Sequence, residues 1–346
     1  MSGPSVTVAT RRWTTRETLR RATVIKAILM SELGDKLRAS EPLARHTSFH
    51  VGGPAEWFFR ADSAADLGRA VAVARRLGLP VRVLGGGSNV LVSDAGIRGL
   101  VILNRSRGYT LAEAPDASLT LVAESGAALP FLAGQLAREG AAGLEWAVGV
   151  PGTVGGAVVQ NAGAWGHEIK DSLLWIEVQD PRQSEVSAEA AHQRLPAAAL
   201  DLRYRHSALR DLPPAERPTI VRAAFRLARD EPAASQARLA AFVTRRTASQ
   251  PRAASGGSTF TNPPGDHAGR LIEAAALKGR RIGGAEISRQ HANFIVTDAG
   301  ATASDIQALI ELARHEVARQ FGVWLEPEIE LLGEWEADAR LPHEHD

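Results

Sequence analysis

Two glycine-rich segments of this chain have the composition of a ligand-binding backbone. Residues 148–163 read VGVPGTVGGAVVQNAG, and residues 84–102 read LGGGSNVLVSDAGIRGLVI. Glycine weakens any helix or strand that it interrupts, so these segments favour close approach of the backbone to a ligand over a packed core. Backbone N–H groups brought close in this way can cradle a pyrophosphate. Together the segments predict one long, flat, phosphate-containing ligand, such as a flavin or nicotinamide dinucleotide.

The earlier glycine segment lacks the signatures of better-known sites. GGGSN at 85–89 would offer backbone donors, and Ser88 and Asn89 would add side-chain donors. No G-x-G-x-x-G lies between a strand and a helix near the N-terminus, and no Lys-Ser or Lys-Thr follows the glycines as in a Walker loop. The G-x-S-x-G pattern of serine hydrolases is also absent. A plain connecting loop is the alternative for either segment by itself, but two such loops are hard to explain by turns alone.

The composition limits the class of protein. The 346 residues suffice for two or three domains, and 45% of them are hydrophobic. Lys+Arg 40 against Asp+Glu 39 gives a net charge of +1, which argues against a general nucleic-acid binder. The chain has no cysteine, which excludes disulfides, thiolate nucleophiles and cysteine-ligated metals and is consistent with the cytoplasm. No apolar run reaches the roughly 20 residues of a membrane helix, and no metal site is expected.

The two ends of the chain are charged. Residues 1–29 carry six basic side chains and one acid, Glu17. Arg11 and Arg12 resemble the start of a twin-arginine signal, but no apolar stretch with a cleavage site follows. We therefore expect an N-terminal extension over 1–42, mobile up to about residue 29, and a solvated tail over 334–346.

Hydrophobic periodicity and turn residues place these segments among interleaved strands and helices. The pattern predicts a strand–turn–strand unit over 43–60 and further strands at 80–84, 100–103, 119–123, 173–179, 219–228, 293–297 and 323–332. It predicts helices at 64–78, 127–139, 236–248, 268–276 and 303–320, with partial helix in the alanine-rich stretch 184–200. The fold class is therefore α+β.

The order of motifs closely resembles one enzyme family over about 43–333. The chain is similar to the UDP-N-acetylenolpyruvoylglucosamine reductases, also called UDP-N-acetylmuramate dehydrogenases, in the motifs HTSFHVGGPA, LGGGSNVLVSDAGIRGLVI, GLEWAVGVPGTVGGAVVQNAGAWG, YRHS, GGSTFTNP, LKGRRIGGAEISRQHANFIV and GVWLEPEI. The resemblance implies a vanillyl-alcohol-oxidase/PCMH-type FAD-binding fold of two α+β subdomains plus a C-terminal α+β substrate domain. The implied domains are 43–100 with 321–333, then 101–229, and 230–320 for the substrate.

The resemblance also implies a reaction. FAD would be the cofactor and NADPH the co-substrate, and the enolpyruvyl ether of UDP-N-acetylglucosamine would be reduced to UDP-N-acetylmuramate for peptidoglycan. A hydride adds to the methylene carbon of this ether and leaves a carbanion next to the carboxylate, best described as an enolate whose charge builds on the carboxylate oxygens. The reaction therefore needs a hydride donor, a polar clamp for the developing charge and an acid for the other carbon. Neither nucleic acid nor membrane is an expected partner, and a monomer is plausible.

The family pattern assigns these roles to Arg205, Ser258 and Glu328. Arg205 in YRHS can hold the substrate carboxylate through two parallel hydrogen bonds. Ser258 in GGSTFTNP would donate the proton, although such a hydroxyl often only caps a turn. Glu328 in LEPEI, if protonated, could donate a hydrogen bond to the enolate. Glu326 lies two residues away on the same strand face, and only the family pattern favours Glu328 over it.

Weaker predictions concern binding. The expected FAD contacts are Thr47, Gly85, Gly86, Gly87, Ser88, Asn89, Gly152, Thr153, Gly155, Gly156 and Asn161. The expected substrate contacts are Asn262, Lys278 and His291, each with a simple structural alternative. His46 stands where the family often has Asn. Only 53 positions separate Arg205 from Ser258, which resembles the branch without a substrate-closing tyrosine loop, so we expect the substrate domain and basic side chains to hold the UDP.

Two other functions remain open at this point. One is another FAD-linked oxidoreductase of the same superfamily, such as a sugar-lactone or alcohol oxidase. Some of those enzymes tether FAD through His or Cys, whereas this chain has no Cys and no His inside either glycine segment. The other is a non-catalytic nucleotide-sugar sensor, against which the presence of Arg205, Ser258 and Glu328 argues.

Overall fold

The structure, a computed structural model, describes residues 15–180 and 192–335. Its helices are α1 (Thr15–Leu33), α2 (Ala64–Arg76), α3 (Leu129–Arg138), α4 (Val154–Gln160), α5 (Ala208–Asp211), α6 (Pro232–Ser249), α7 (Ala268–Ala274) and α8 (Ala303–Phe321). Its strands are β1 (Leu37–Pro42), β2 (Pro54–Ala61), β3 (Val81–Leu84), β4 (Val90–Val92), β5 (Ile97–Asn104), β6 (Tyr109–Glu113), β7 (Leu119–Glu124), β8 (Ala141–Ala142), β9 (Gly163–Ala164), β10 (His167–Glu168), β11 (Leu173–Gln179), β12 (Gln193–Pro196), β13 (Thr219–Arg229), β14 (Arg281–Ile282), β15 (Ala285–Ile287), β16 (Ile295–Thr297) and β17 (Glu330–Leu332).

A four-stranded sheet carries the first glycine segment. Its order is β1-β2-β5-β3, with β1 antiparallel to β2 and with β5 parallel to β2 and β3. Helix α2 covers one face with a buried stripe that includes Leu67 and Val71. Ser63 starts this helix by accepting a hydrogen bond from the backbone N–H of Asp66 at 3.0 Å. Because β3 ends at Leu84, the glycines at 85–87 leave the sheet directly.

A second sheet carries the other glycine segment. Its order is β12-β11-β13-β7-β6, all antiparallel, and β8 also pairs with β13. Helices α3 and α4 pack on it and contribute Leu132, Leu136 and Val158 to its core. Helix α6 packs against this same core through Leu239 and Phe242. The second glycine segment runs into α4, so both segments are anchored on rigid elements.

A small sheet and two helices form a third unit beside the two larger sheets, which we call the third layer. Strands β14, β15 and β16 are antiparallel, and α7 and α8 share a core with Ile287 and Ile295. Asp94 ties this layer to the first sheet, because its carboxylate accepts hydrogen bonds from the backbone N–H groups of Ala303 and Ser304 at 2.9 and 3.0 Å. Among the described helices, none has both the length and the apolar character that crossing a bilayer requires.

Most of the expected helices and strands are present, and the exceptions have local causes. Residues 43–46 form a 3₁₀ turn rather than a strand, and the backbone N–H of Leu43 ties this turn to the carbonyl of Gly53 at 3.1 Å. The expected strand at 323–332 is reduced to β17, since the residues before it pair with the loop at 259–261 instead. Residues 184–191 of the alanine-rich stretch lie outside the described residues, and the rest of it contains β12 and a 3₁₀ turn at Ala197–Leu200.

The N-terminal expectation is wrong for part of its range. Residues from Thr15 onward form α1, and β1 follows it as an edge strand. Leu29 is fully buried and Leu33 nearly so, both in the core beneath α2. Two expected domain limits also fall inside packed units: β5 continues past residue 100, and α6 packs on the second core although it lies after residue 230.

Candidate active site

The two glycine segments face each other across one cavity of about 570 Å³. Gly86 lies so close to Gly152 that a Cβ on Gly86 would sit 2.8 Å from the Cα of Gly152. Gly87 has φ +64°, and a Cβ there would collide with the carbonyl of His46. The hydroxyl of Ser88 donates to the carbonyl of Pro151 at 3.0 Å. Only residues without side chains allow this approach, which explains the glycine density.

The cavity wall presents free amide donors. Among the described residues, no acceptor faces the backbone N–H groups of the cavity-lining residues Gly86, Gly87, Ser88, Gly152, Thr153 and Gly156. Gly87 and Thr153 are buried, and a buried N–H without an acceptor is costly, so their N–H groups call for an anionic ligand. The cradle therefore suits the diphosphate of a dinucleotide such as FAD. Of the sequence-predicted FAD contacts, Gly85, Asn89 and Gly155 also line the cavity.

The cavity is electropositive. Its described lining includes five arginines (Arg75, Arg82, Arg205, Arg217 and Arg246) against two glutamates, Glu328 and Glu330. This excess of three formal positive charges favours ligands that carry several negative charges. A dinucleotide together with a nucleotide sugar meets that requirement.

Arg205 lies at the tip of a tight turn. Arg203 and His206 close the turn with reciprocal backbone hydrogen bonds at 3.1 and 3.0 Å, and Arg205 itself has φ +54°. This left-handed conformation is uncommon for a residue other than glycine, so surrounding contacts must hold the backbone in it. Arg210 holds it by donating to the carbonyl of Arg205 at 2.7 Å. The Nη2 of Arg205 donates to the carbonyl of Gly163 at 2.7 Å, which aims the guanidinium along the cavity wall.

Glu328 faces Arg205 inside the cavity. The Nε of Arg205 lies 2.9 Å from Oε1 of Glu328, as an ion pair rather than an aligned hydrogen bond. Burial raises the pKa of Glu328, and the positive charge of Arg205 opposes this shift without cancelling it. Glu326 is exposed and lies outside the described cavity lining, and its carbonyl accepts from the N–H of Thr261 at 3.0 Å. The two glutamates, which composition could not distinguish, therefore differ in environment: Glu328 lines the cavity beside Arg205, and Glu326 is exposed.

Ser258 lines the same cavity as Arg205 and Glu328. Its hydroxyl has no hydrogen-bond partner among the described residues. The loop that carries it is connected to the Glu328 segment, because the N–H of Glu328 donates to the carbonyl of Thr259 at 2.8 Å. The amide of Asn89 donates to the carbonyl of Glu328 at 3.0 Å. Arg205, Ser258 and Glu328 therefore meet in one cavity, with Asn89 positioning the last of them.

Sequence reasoning missed the buried Asn293. Its side chain accepts from the N–H of Phe260 at 2.9 Å and donates to the carbonyl of Phe260 at 2.8 Å. Its own carbonyl accepts from Thr259 at 2.8 Å, so one residue fixes the segment beside Ser258. The available signal was an asparagine inside the apolar run ANFIV, since a buried amide must find partners.

Two predicted FAD contacts have side chains already engaged away from the cavity. The buried hydroxyl of Thr47 donates to the carbonyl of Val51 at 2.8 Å. Asn161 ends α4 with φ +42°, donates to the carbonyl of Arg203 at 2.8 Å and accepts from the N–H of Lys170 at 3.0 Å. Neither residue is part of the cavity lining. Both hold neighbouring backbone in place, and their contact with FAD stays a prediction.

The three predicted substrate contacts also lie outside the described lining. The side-chain oxygen of Asn262 accepts from the N–H of Ala268 at 3.1 Å, and Lys278 pairs with Glu273 at 2.8 Å. His291 packs edge-on against Phe294, and burial lowers its pKa. These contacts with substrate stay predictions.

Tyr204 is a further residue that the sequence did not suggest. Its hydroxyl accepts from the N–H of Asn262 at 3.5 Å, and its ring lies 5.0 Å from the guanidinium carbon of Arg205. It therefore connects the Arg205 turn to the loop after Ser258.

Two protein-family models match separate parts of the chain. A family model described as FAD binding domain matches residues 55–187, and one described as UDP-N-acetylenolpyruvoylglucosamine reductase, C-terminal domain, matches residues 250–332. These matches confirm the expected FAD-binding α+β fold.

Curated relatives and a solved structure extend the match to most of the chain. The UDP-N-acetylenolpyruvoylglucosamine reductase of Rubrobacter xylanophilus is 47% identical over 85% of this chain and 94% of its own. That of Moorella thermoacetica is 40% identical over 90% and 98%. The crystal structure of the Thermus caldophilus reductase matches with a TM-score of 0.66 and 32% identity, over 86% of this chain and 98% of that one. The chain therefore belongs to the UDP-N-acetylenolpyruvoylglucosamine reductase family.

Proposed function

We propose that this protein reduces the enolpyruvyl ether of UDP-N-acetylglucosamine to UDP-N-acetylmuramate, with FAD as cofactor and NADPH as co-substrate. The observation that carries the proposal is the meeting of Arg205, Ser258 and Glu328 in a cavity walled by two glycine segments. Reduced FAD, when bound, supplies the hydride for the methylene carbon, and NADPH restores its reduced form. The free amides of Gly86, Ser88 and Gly152 would hold its diphosphate.

Arg205 would bind the substrate carboxylate. A guanidinium keeps its charge and can donate two parallel hydrogen bonds to a carboxylate. Its bond to the carbonyl of Gly163 fixes its orientation before substrate arrives. Preorganised positive charge at this point stabilises the enolate, because its charge develops on the oxygens of that same carboxylate.

Glu328 would act in its protonated form. When the substrate carboxylate takes Arg205, Glu328 loses part of the interaction that lowers its pKa, and burial then favours protonation further. A protonated carboxyl can donate a hydrogen bond to the enolate oxygen. The carboxylate form would instead repel it.

Ser258 would deliver the proton to the remaining carbon. Its hydroxyl is not committed to another described residue. A serine is a weak acid, so it serves this role only beside a strongly basic carbon such as that of the enolate. The fixed Thr259–Phe260 segment keeps the hydroxyl in place during the transfer.

The decisive experiment uses Ser258→Ala with Ser255→Ala as its matched control. Ser255 lies in the same loop but outside the described cavity lining. We expect Ser258→Ala to lower turnover at least roughly 100-fold, because a positioned proton donor contributes that much. The rate at which NADPH bleaches the flavin absorbance should persist in both variants. Full turnover in Ser258→Ala would contradict the assigned role.

The spectrum of the wild-type protein separates the alternatives. The proposal expects bound flavin that NADPH bleaches and the enolpyruvyl nucleotide sugar restores under anaerobic conditions. An oxidase of the same superfamily would instead reduce oxygen with its own alcohol, and a sensor would bind nucleotide sugar without any spectral change of this kind.

The proposed function also suggests how the chain divides into domains and in which compartment it works. The first and second sheets with their helices would form the FAD-binding part, and the layer with α7 and α8 would form the substrate domain. A cysteine-free chain that uses NADPH is suited to the cytoplasm, and we expect a monomer with no nucleic-acid partner.

A further inference from the structure

Arg246 differs from the other arginines of the cavity. Arg205 pairs with Glu328, and Arg82 and Arg217 share Glu330 at 3.1 and 3.5 Å. Arg75 donates to the carbonyl of Asp180 at 3.0 Å. The guanidinium of Arg246 forms no ion pair and no hydrogen bond with any residue that the structure describes.

The position of Arg246 is set by packing rather than by charge. It lies in the last turn of α6, four residues after Phe242, whose ring stacks on Trp165 at 5.2 Å. Trp165 in turn packs on Gly149, and the place where a Cβ of Gly149 would lie is 3.5 Å from the Cδ of Arg246. Helix α6 is itself fixed to the second core. The side chain is thus delivered to the cavity wall by rigid elements.

Burying the guanidinium of Arg246 costs free energy, and no carboxylate of the described residues compensates for this cost. Burial lowers the pKa of Arg246, because water is removed from the guanidinium and no carboxylate replaces it. At Arg82 the same effect of burial is opposed by Glu330. A partly buried cation without a counter-ion is unfavourable unless a ligand supplies the anion.

Arg246 lines the same cavity as Ser258, the proposed proton donor. Gln250, directly after α6, and Gly256–Ser258 line the same cavity. The hairpin of β9 and β10 lies between Arg246 and Arg205, since Gly163 accepts from Arg205 and Trp165 packs beside Arg246. Two guanidinium groups therefore flank one hairpin, one with a carboxylate partner and one without.

We propose that Arg246 binds the diphosphate of the nucleotide sugar while Arg205 binds its carboxylate. This rests on the proposed function, whose substrate carries these two anionic groups on different carbons of one sugar ring. The diphosphate of FAD already has the free amides of the glycine segments as donors. Arg246 thus supplies a charge-assisted contact for the second diphosphate.

The test compares Arg246→Gln with Arg246→Lys and with the control Arg245→Gln. Arg245 is exposed on the same helix and does not line the cavity. We expect Arg246→Gln to raise KM for the enolpyruvyl nucleotide sugar roughly 10- to 100-fold, the range for a lost hydrogen bond to a charged group. Since the contact is uniform binding, kcat should stay within about threefold. Arg246→Lys should recover part of the loss, and Arg245→Gln should match the wild type.

Binding of uridine diphosphate alone, followed by calorimetry, isolates the contact from the chemistry. Its Kd should rise in Arg246→Gln by about the same factor as KM. An unchanged Kd would overturn the proposal, even if the wild type turned over no substrate at all. A protein that binds uridine diphosphate through Arg246 but shows no turnover would instead contradict the proposed function.

Two further measurements show whether Arg246 binds the phosphates of another ligand, NADPH or FAD, instead. A rise confined to KM for NADPH would assign Arg246 to that co-substrate and overturn the proposal. A loss of bound flavin per protein in Arg246→Gln would assign it to FAD and overturn the proposal likewise.

Discussion

At the scale of single residues, the site depends on Glu328, whose pKa is raised by burial and lowered by a neighbouring positive charge. Glu328 is buried enough for its pKa to rise, yet it lies 2.9 Å from the Nε of Arg205, which draws its pKa down. The balance makes its protonation sensitive to what Arg205 binds. A carboxylate ligand on Arg205 shifts that balance toward the protonated acid.

Glu328→Gln should change the pH dependence of turnover. Because the pKa of Glu328 is raised, its protonated form persists to a higher pH than in an exposed glutamate, and activity should fall as pH rises through that pKa. Glutamine also donates a hydrogen bond but does not titrate, so the alkaline decline of kcat should be lost. Steady-state profiles of the variant, the wild type and the exposed control Glu326→Gln measure this. An identical alkaline decline in Glu328→Gln would contradict the protonated-acid role.

At the scale of elements, the site is formed where two backbone segments touch without side chains between them. β3 delivers one segment and α4 begins in the other, so the sheets fix their separation. A Cβ added to Gly86 would lie only 2.8 Å from the Cα of Gly152 across the gap. Added volume there must push the two walls of the cavity apart.

Gly86→Ala should weaken FAD binding. The new Cβ would lie 2.8 Å from the Cα of Gly152, and overpacking of this kind costs about 1–3 kcal/mol, or roughly 5- to 150-fold in Kd. Flavin absorbance per protein after dialysis measures the loss. Gly134→Ala is the matched control, because it lies within α3 with only the end of Arg138 near its Cβ position and should retain FAD. Full flavin content in Gly86→Ala would show that the contact is dispensable.

At the scale of the whole molecule, segments distant in sequence complete the first unit. β17 returns from the third layer to pair with β4 and brings Glu328 beside Asn89. Helix α1 closes the other side, with Leu29 and Leu33 in the core beneath α2. The N-terminal region is therefore part of the folded unit from α1 onward.

Leu29→Ala should lower stability without lowering activity. Leu29 is fully buried, and truncating such a side chain costs about 2–5 kcal/mol in the free energy of unfolding. Because Leu29 does not line the cavity, kcat at 25 °C should be unaffected. Urea denaturation measures the change, with Met30→Ala as the control, since Met30 is 56% exposed and its truncation should stay within about 0.5 kcal/mol. Equal stability of the two variants would place α1 outside the cooperative unit.

Local patterns in the sequence were enough to predict much of the fold. The periodicity at 64–78 gave α2 because its buried stripe repeats with the helical period, and Ser63 marks its start. The strand expected at 323–332 was mostly absent because Pro327 and its neighbours pair with the loop at Phe260, a partner far away in the chain. The helix α1 was missed because its basic residues masked a short apolar stripe that packs into the core shared by α2 and the first sheet.

Amino-acid order alone was enough to infer that two side-chain-poor segments approach a phosphate-bearing ligand, because glycine density is a local property of the chain. Only the folded chain shows which of two glutamates faces Arg205, that Asn293 fixes the loop of Ser258, and that Arg246 reaches the cavity without a counter-ion among the described residues. Burial and pairing are made by segments that meet only on folding. For that reason no local pattern could have assigned these residues their environments.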